Sequence, residues 1–397
     1  MIDVIIIGGG LSGSFTAFLL SQFGLKVTVL EEHPETGSPR FCTGIVGTEA
    51  FKRFSLPTVP IQNSYSSAIF HSPYGNSVRI SHPGIQAVVV DRTKFDQELS
   101  EMAIRAGASY RYQTRGIALS TGPGGVEIVI EREKKRETLT AKTAVLATGT
   151  WYGLHTRLGL SRPKQHLDTA QVEVDIADLD DVELFFGRDI APGSFGWAAP
   201  LSPGRARIGV SAYRNAGFYL EGLLQSRFLA GRIGPVDPKS IRRKVIPVAP
   251  MKRSYGNRYL VVGDAAGQVK PTTGGGIYYG LLSAELAAHN LNDAFMSGDF
   301  SEQHFSRYHQ AWQDNIGTEL RTGRIARAIL AAIPDSMIDS LIQTMSEEDV
   351  LALIQKEARF DWHHNIFLTL IRHPKIFYQF SKRILSFPEK QGTDVRG

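Results

Sequence analysis

Three glycines near the start of the chain have the spacing of a dinucleotide-binding turn. Gly8, Gly10 and Gly13 follow an apolar run at residues 4–7 and open a helical pattern. In such a turn the first glycine permits a tight bend, the second lets the backbone approach a pyrophosphate, and the third lets helix and strand pack closely. The spacing therefore predicts a site for a dinucleotide cofactor.

The elements around this turn complete the pattern. The helix would begin at Leu11 and Ser12, and its positive end would face the diphosphate. A second apolar run, at residues 26–30, ends at Glu31, whose carboxylate can accept a hydrogen bond from a ribose hydroxyl. Strand, turn, helix and acid thus occur in the order that nucleotide binding requires.

A second glycine cluster lies far along the chain. Asp264 follows a buried-strand run at residues 259–262, and Gly274, Gly275 and Gly276 precede a helical pattern at Ile277. The aspartate can bind a ribityl chain or a water on the pyrophosphate. A helix that begins at Ile277 would stabilise the negative charge that develops on a reduced flavin ring. Together the two clusters predict FAD.

Cys42 is the only cysteine. A single cysteine excludes an intrachain disulfide, a cysteine-ligated zinc site and an iron–sulfur cluster, and we predict no metal site. Its position in a glycine- and proline-rich loop at residues 36–44 suggests a reactive thiol, although a free cysteine is often a small buried apolar residue. Both interpretations stay open at this stage.

The elements that must position these residues alternate between helix and strand. Residues 91–105 predict a helix, residues 143–149 a buried strand that enters a small-residue turn at Gly149, and residues 151–250 mostly strands. We therefore predict an α/β protein in which a Rossmann-type FAD-binding domain (residues 1–65, 91–150 and 251–300) is interleaved with a β-rich substrate domain (66–90 and 151–250). A helical C-terminal region (301–397) follows, in which Ser346 would open a capping box.

Composition limits the possible partners and location. The net charge of +5 comes from 44 cationic and 39 acidic side chains, which does not predict a nucleic-acid-binding stripe. The first apolar run begins too early for a cleavable signal peptide, and no run of apolar residues is long enough to span a bilayer. We expect a cytoplasmic protein, with peripheral contact at the inner face of the membrane as an alternative.

The motifs together resemble those of FAD-dependent oxidoreductases with the aromatic-hydroxylase-like fold. Within that superfamily the chain resembles the geranylgeranyl reductases through three segments, at residues 37–42, 192–200 and 271–279. The likeness covers about residues 1–320. It implies reduction of isoprenoid double bonds with FAD as cofactor, a hydrophobic isoprenoid or lipid substrate, and either NAD(P)H or a ferredoxin-like protein as electron donor.

The resemblance also implies roles for particular residues. Arg40, Cys42 and Arg92 would lie against FAD, as would Gly149. Cys42 would in addition be the proton donor in catalysis. Phe195, Trp197 and Pro200 would line the substrate pocket; the alternative for Phe195 and Trp197 is that they are inward-facing core residues of a strand. Phe195 stands where the family commonly has tyrosine, and Thr43 stands where archaeal lipid reductases often have an acid.

Other functions remain open. A flavin monooxygenase that hydroxylates a hydrophobic or aromatic molecule with NAD(P)H and O₂ has the same fold, although Ala147-Thr148-Gly149 stands where those enzymes usually carry an Asp-Gly pair. A non-catalytic flavoprotein that carries electrons or a prenyl lipid is a third reading. Residues 371–387 are basic and amphipathic, which is typical either of a docked terminal helix or of a membrane-surface helix.

Overall fold

The computed structural model describes residues 2–39 and 41–385. Met1, Arg40 and the last twelve residues lie outside this range. The strands are β1 (Ile2–Ile7), β2 (Val27–Leu30), β3 (Ile45–Gly47), β4 (Ile61–Tyr65), β5 (Ser67–His71), β6 (Ser77–Ser81), β7 (Ala87–Val90), β8 (Ser109–Arg111), β9 (Arg115–Gly122), β10 (Gly125–Arg132), β11 (Lys135–Leu146), β12 (His166–Asp175), β13 (Val182–Phe185), β14 (Gly196–Ser202), β15 (Arg205–Ala212), β16 (Arg242–Pro247), β17 (Tyr255–Gly256) and β18 (Tyr259–Val261). The helices are α1 (Leu11–Gln22), α2 (Thr48–Phe54), α3 (Arg92–Arg105), α4 (Gly153–Arg157), α5 (Ala216–Leu224), α6 (Ile277–Ser297), α7 (Glu302–Ala332), α8 (Asp335–Met345), α9 (Glu348–Glu357), α10 (His364–Arg372) and α11 (Pro374–Leu385).

The first sheet holds the glycine turn. Its strand order is β17-β18-β11-β1-β2-β8, with β9 and β10 added as an antiparallel pair beside β11. The central strands β18, β11, β1 and β2 are parallel and carry continuous buried apolar runs, because both faces of a parallel sheet are covered. Helices α1, α3 and α6 pack together on one face of this sheet. The carboxyl ends of β1, β2, β11 and β18 therefore open at one edge, where ligands bind in such folds.

The second sheet has the order β16-β12-β15-β14-β13-β5-β6 and is antiparallel except where β13 meets β5. One of its faces is apolar and packs against α5 through residues such as Val172 and Ile208. The opposite face carries polar side chains at the alternate positions, among them Gln171, Glu173 and Arg207. This alternation follows from the two-residue repeat of a strand, and it brings the polar side chains together on one face of the sheet.

A small third sheet, β3-β7-β4, connects the loop of Cys42 to the rest of the molecule. The predicted α/β class, with a parallel nucleotide-type sheet, a β-rich part and C-terminal helices, is confirmed. Strands β5 and β6 pair with the later β-rich segment, whereas β7 pairs with β3 and β4. The division of the chain into domains stays a prediction.

The C-terminal helices differ from expectation in one detail. Ser346 does not cap α9: its hydroxyl donates to the Gln343 carbonyl at the end of α8, and Glu347 precedes α9 without a side-chain cap. Helix α11 docks on the preceding helices, since Ile376 is buried and Lys375 pairs with Glu347. The remainder of the predicted amphipathic segment, from residue 386, lies outside the described residues. No helix in the described part of the chain is long and apolar enough to cross a membrane.

Candidate active site

The glycine turn has the predicted geometry. Gly8 adopts a φ of 108°, which favours glycine, directly after β1. A methyl group at Gly13 would lie 2.0 Å from the carbonyl oxygen of Gly8, so helix and strand touch there. At Gly10, by contrast, a methyl group would meet no protein atom within 4 Å. The third glycine is thus required for packing, and the second faces open space.

The start of α1 is available to an anion. No side chain caps the helix at Gly10, and no described residue accepts a hydrogen bond from the N–H groups of Leu11, Ser12 or Gly13. Glu31, at the end of β2, is buried beside the turn, and its Oε2 accepts from the Gly9 N–H at 2.8 Å. That bond fixes the carboxylate next to the glycines. Its other oxygen, Oε1, binds the His33 N–H at 2.9 Å and His33 Nδ1 at 2.6 Å, so Oε2 is the oxygen with a lone pair left for a hydroxyl.

The two glycine clusters meet, although more than 240 residues separate them in the sequence. A methyl group at Gly263 would lie 2.5 Å from the Ser12 hydroxyl, and one at Gly280 would lie 2.7 Å from it. Asp264 follows β18 in a short 3₁₀ turn, and its Oδ1 lies against Gly276. The predicted residues of the two clusters therefore form one continuous edge of the sheet.

The second helix start has the same character as the first. Helix α6 begins at Ile277 after Gly276, again without a side-chain cap. Gly274 has a φ of 72°, and the N–H of Gly274 donates to the Lys270 carbonyl, which closes a tight loop before the helix. Gly149 (φ 57°) follows β11, between β1 and β18, and also faces open space.

The loop of Cys42 lies between the two large sheets. The Cys42 sulfur accepts from the Gly44 N–H at 3.3 Å, and the residue is half-buried. Arg207, on β15, donates to the carbonyl oxygens of Cys42 (3.2 Å) and Thr43 (2.5 Å) and pairs with Glu173 at 2.6 Å. Its side chain is only 1% exposed. A buried cation of the β-rich sheet thus holds the cysteine loop in place.

A second guanidinium lies beside the thiol. Arg92 begins α3 and binds both carboxylate oxygens of Asp96, one turn later. Burial disfavours the charge of Arg92, but the Asp96 carboxylate and the Cys42 thiol, which is within hydrogen-bonding reach, raise the pKa of the guanidinium above its usual value. Cys42 and Arg92 are therefore neighbours, and the contact of each with FAD stays a prediction. Arg40 lies outside the described residues.

The three predicted pocket residues lie on β14 or directly before it. The Trp197 ring covers Gly209 on β15, where a methyl group would lie 2.2 Å from the indole. Arg207 is two residues from Gly209 on the same strand and so shares its face. Phe195 contacts Trp197 edge to face, with ring centroids 6.2 Å apart. The Trp197 indole N–H is buried and has no partner among the described residues.

Pro200 differs from the other two. It is buried, and its carbonyl accepts from the Tyr65 hydroxyl and the Asn63 amide of β4. These bonds attach β14 to the small sheet. Pro200 therefore has a structural role at the junction of β14 and β4, and its contact with substrate stays a prediction.

Sequence reasoning missed the residues that hold the glycine loop from behind. Lys270 forms a buried ion pair with Asp361 at 2.7 Å, and Thr272 bonds His363 Nδ1 at 2.6 Å. Arg327, also buried, donates to the carbonyls of Pro271, Thr272 and Gly193 and has no carboxylate partner among the described residues. No local spacing signals these contacts, because they join segments up to about 130 residues apart. Arg207 is different: its alternation with Gly209 and Ser211 was visible in the sequence.

The residues fit an FAD. Two uncapped helix starts and two open glycines lie along one sheet edge, with a buried acid at one end and the Cys42 and Trp197 face at the other. The open space at Gly10 and Gly149 would be filled by any larger side chain. A phosphate at the first helix and a flavin ring at the second would satisfy the exposed N–H groups.

The chain matches a protein family and has relatives among known proteins. The chain matches the family model of the lycopene cyclase proteins over residues 3–336. The chain belongs to this family. It is also similar to the digeranylgeranylglycerophospholipid reductases of Methanocaldococcus jannaschii (27% identity, covering 87% of this chain and 90% of the relative) and Methanothermobacter thermautotrophicus (29%, covering 88% and 93%).

Solved structures of other proteins have the same fold as this chain. A geranylgeranyl bacteriochlorophyll reductase-like protein from Thermoplasma acidophilum superposes with a TM-score of 0.85 at 21% identity, covering 96% of this chain and 98% of that one. The p-nitrophenol 4-monooxygenase PnpA from Pseudomonas putida superposes less well, with a TM-score of 0.72 at 15% identity, covering 90% and 97%. The predicted resemblance to geranylgeranyl reductases is confirmed.

Proposed function

We propose that this protein is an FAD-dependent reductase that saturates double bonds of an isoprenoid chain or isoprenoid lipid. The observation that carries the proposal is the meeting of two glycine-rich segments, since Ser12 at the start of α1 lies against Gly263 and against Gly280 of α6. On the β-rich side, Arg207 holds the Cys42 loop, and Gly209 on the same strand lies under the Trp197 ring. The names of the curated relatives support it over most of the chain length, and the predicted enzyme class is confirmed by them.

The residues that would hold FAD follow from the geometry. The N–H groups of Leu11, Ser12 and Gly13 would bind the diphosphate, and Glu31 would accept from the ribose. Asp264 would bind the ribityl chain. The helix start at Gly276 and Ile277 would face the flavin ring. When bound and reduced, FAD supplies the hydride equivalent that the reaction needs.

The substrate sets the second requirement. An isolated alkene is not electrophilic, so a proton must reach one carbon while hydride reaches the other. The positive charge that develops needs a dry pocket and aromatic faces. Trp197 and Phe195 supply such faces on β14, and a desolvated cation–π contact is worth about 2 kcal/mol. Correct positioning of the alkene lowers the barrier further.

We assign the proton to Cys42 Sγ. Among the described residues of the loop at 36–44, the thiol is the side chain that can give up a proton, and the Arg92 guanidinium beside it would stabilise the thiolate that remains after proton transfer. Arg207 would keep the thiol in position by holding the Cys42 and Thr43 carbonyls. Arg207 is therefore a positioning residue, and Cys42 is the catalytic acid of this proposal.

Lipid analysis tests the function. Purified FAD-loaded protein, reduced with dithionite under anaerobic conditions, should add the mass of two hydrogen atoms for each saturated bond of a geranylgeranyl lipid. Cyclisation, which the family name suggests, would leave the mass unchanged. A monooxygenase would instead consume O₂ and add the mass of an oxygen atom. Absence of any mass gain with fully reduced flavin would overturn the proposal.

Two variants test the assignment of the proton. Cys42→Ser and Cys42→Ala should retain FAD and its rate of reduction by dithionite, yet lose at least 10²-fold in alkene saturation, which is the lower end of general acid catalysis. Thr43→Ala, at the next position of the same loop, is the matched control and should stay within a few-fold of the natural protein. Equal rates for Cys42→Ala and Thr43→Ala would remove Cys42 from the mechanism.

Delivery of a lipid substrate suggests peripheral membrane contact. Phe377 and Tyr378 are exposed on α11, with exposed fractions of 61% and 64%. We infer that this side of α11 contacts the bilayer surface. Co-sedimentation with anionic liposomes should fall for Phe377→Ser/Tyr378→Ser and stay unchanged for Val59→Ser, a control whose apolar side chain is 79% exposed in the turn between α2 and β4. Unchanged sedimentation of the double variant would contradict the contact.

The proposed reaction also requires an electron donor for the flavin. Electrons must reach the flavin from NAD(P)H or from a ferredoxin-like protein, and both remain candidates from the family resemblance.

A further inference from the structure

A buried arginine on α7 joins the glycine loop to the segment before β14. Arg327 donates from Nε to the Pro271 carbonyl, from Nη2 to the Thr272 carbonyl (3.0 Å) and from Nη1 to the Gly193 carbonyl (3.0 Å). Gly323, one turn earlier on the same face of α7, lies against Pro271, where a methyl group would be 3.0 Å from the proline ring. The helix therefore approaches the loop closely and places a cation behind it.

The charge of Arg327 has no carboxylate partner in the part of the chain that the structure describes. The residue is 6% exposed, and its three hydrogen bonds go to carbonyl oxygens, which carry no net charge. Burial lowers the pKa of the guanidinium to about 10, so the group keeps its proton at neutral pH. A buried cation without a counter-ion is costly, and a negative charge that forms nearby would lower this cost.

The other charged side chains around the loop have partners. Glu319, roughly 12 Å before Arg327 along the axis of α7, accepts from the first two N–H groups at the start of α10. The remaining charges form pairs with each other: Lys270 with Asp361 at 2.7 Å, and Lys244 with Asp264 at 3.5 Å. Among the described residues, Arg327 is therefore the uncompensated charge behind this loop.

The loop that Arg327 holds leads into the helix start that would face the flavin ring. Thr272 is two residues before Gly274, and two residues span at most about 7 Å. With the 3.0 Å bond to Thr272, the guanidinium lies within about 10 Å of Gly274. At about 10 Å and an effective dielectric constant of about 20, a unit charge changes an equilibrium that creates one opposite charge on the order of 10-fold.

We propose that Arg327 is a positioning residue whose charge stabilises the reduced state of the cofactor. The inference rests on the proposed reductase function and deepens it. Uptake of two electrons and one proton adds one negative charge to a flavin ring, and the Arg327 charge, together with the start of α6, would favour that state. The same side chain holds the Gly193 carbonyl, so one group anchors both the flavin loop and the segment that leads into β14.

The reduction potential of the bound flavin tests this role without turnover. In anaerobic equilibration of the FAD-loaded protein with a reference dye, Arg327→Gln should lower the equilibrium constant for flavin reduction about 10-fold, which is about 30 mV for a two-electron couple. Arg327→Lys keeps the charge and should keep most of the natural value.

Two matched controls separate the charge from other effects of substitution. Arg324→Gln removes an exposed charge from the same helix. His363→Gln disturbs the bond to Thr272 in the same loop without removing a charge, because the imidazole is neutral near pH 7. Both variants should leave the potential nearly unchanged.

A second variant keeps the test open if Arg327→Gln does not fold. The Tyr213 ring lies against Gly193 and is 46% exposed, and its hydroxyl is near enough to Arg327 to act on the pKa of the guanidinium. Tyr213→Glu would supply a counter-charge from this accessible position and should lower the potential in the same direction. Tyr213→Gln, which adds no charge, should not.

Three results would overturn the inference. These are an unchanged potential in Arg327→Gln and Tyr213→Glu, an equal decrease in Arg327→Gln and Arg327→Lys, or an equal decrease in the controls. Lipid analysis separates the two proposals. Alkene saturation by the natural protein, with an unchanged potential in the variants, refutes only the role of Arg327, whereas a shifted potential without any saturation refutes the reductase function instead.

Discussion

Loss of the Lys270 charge should destabilise the protein far more than loss of an equally short ion pair at the surface. Lys270 Nζ lies 2.7 Å from Asp361 Oδ1, and the two side chains are 5% and 3% exposed. Arg253 and Glu302 are also 2.7 Å apart, but their side chains are 44% and 49% exposed. The two pairs have different residue types but the same N···O distance and very different burial, so the comparison tests how much burial contributes.

The expected magnitude follows from what each variant leaves behind. Lys270→Met leaves a buried carboxylate whose Oδ2 already has no partner among the described residues, which should cost about 3–5 kcal/mol. Asp361→Asn leaves the ammonium its bond to the Phe360 carbonyl and its position over the Phe360 ring, which should reduce the cost to about 2 kcal/mol. Arg253→Met should cost less than about 1 kcal/mol.

Urea-induced unfolding of the FAD-free protein, followed by tryptophan fluorescence, measures these differences. Trp362 is adjacent to Asp361 and reports on that region. The double variant Lys270→Met/Asp361→Asn should be more stable than Lys270→Met alone, because it leaves no unpaired charge. If Lys270→Met and Arg253→Met cost the same, burial does not decide the contribution of this pair and the reasoning fails.

Three other perturbations have definite outcomes. Burial, with Lys270 nearby, lowers the pKa of His363 to about 4. As the pH falls, the unfolded state therefore binds this proton before the folded state does, so the free energy of unfolding should be at its full value above about pH 6.5 and decrease by roughly 3 kcal/mol by pH 4. Urea titrations across this pH range measure the decrease. Gly10→Ala should unfold at the same temperature as the natural FAD-free protein yet lose most FAD affinity in a flavin fluorescence titration, because the added methyl group meets no protein atom and enters the open space of the turn. Arg207→Met should lower the free energy of unfolding by about 2–4 kcal/mol. This loss is smaller than the loss on breaking a fully buried ion pair, because the Glu173 side chain is 29% exposed. In stopped-flow measurements the variant should slow alkene saturation more than flavin reduction.

Each of these has a control. His363→Gln should flatten the acid limb of the stability profile, and an unchanged limb would assign the proton uptake to another group. Gly13→Ala should lose both stability and FAD, since its methyl group would collide with the Gly8 carbonyl, and equal behaviour of the two glycine variants would contradict the distinction between packing and binding. Arg205→Met removes a neighbouring, half-exposed guanidinium and should have little effect on either rate.

The sequence alone predicts those parts of the structure that depend only on neighbouring residues. The turn at Gly8, the acid at Glu31 and the helix that begins at Arg92 depend on neighbours within a few residues, so their pattern is visible directly. The side chain of Asp91 caps that helix as the pattern requires, by accepting from the Thr93 N–H.

The rest depends on contacts that no local pattern encodes. Arg207 could be placed on a strand face from its alternation, but its bond to the Cys42 loop exists only because two sheets meet. The expected cap at Ser346 was wrong because the residue ends α8 instead of beginning α9, a choice that the packing of both helices decides. Neither Lys270 nor Asp361 stands out in the sequence, because their importance comes from the ion pair that they form in the structure.

The anchoring of the glycine loop by Asp361 and His363 has a consequence for biosynthesis. The ribosome makes the turn at Gly8 long before the segment near residue 361, and the glycine loop after Lys270 is not secured until that later segment has emerged. Cofactor loading should therefore follow the synthesis of the segment that carries Asp361 and His363. A nascent chain stalled before that point would expose an unfinished cleft to chaperones.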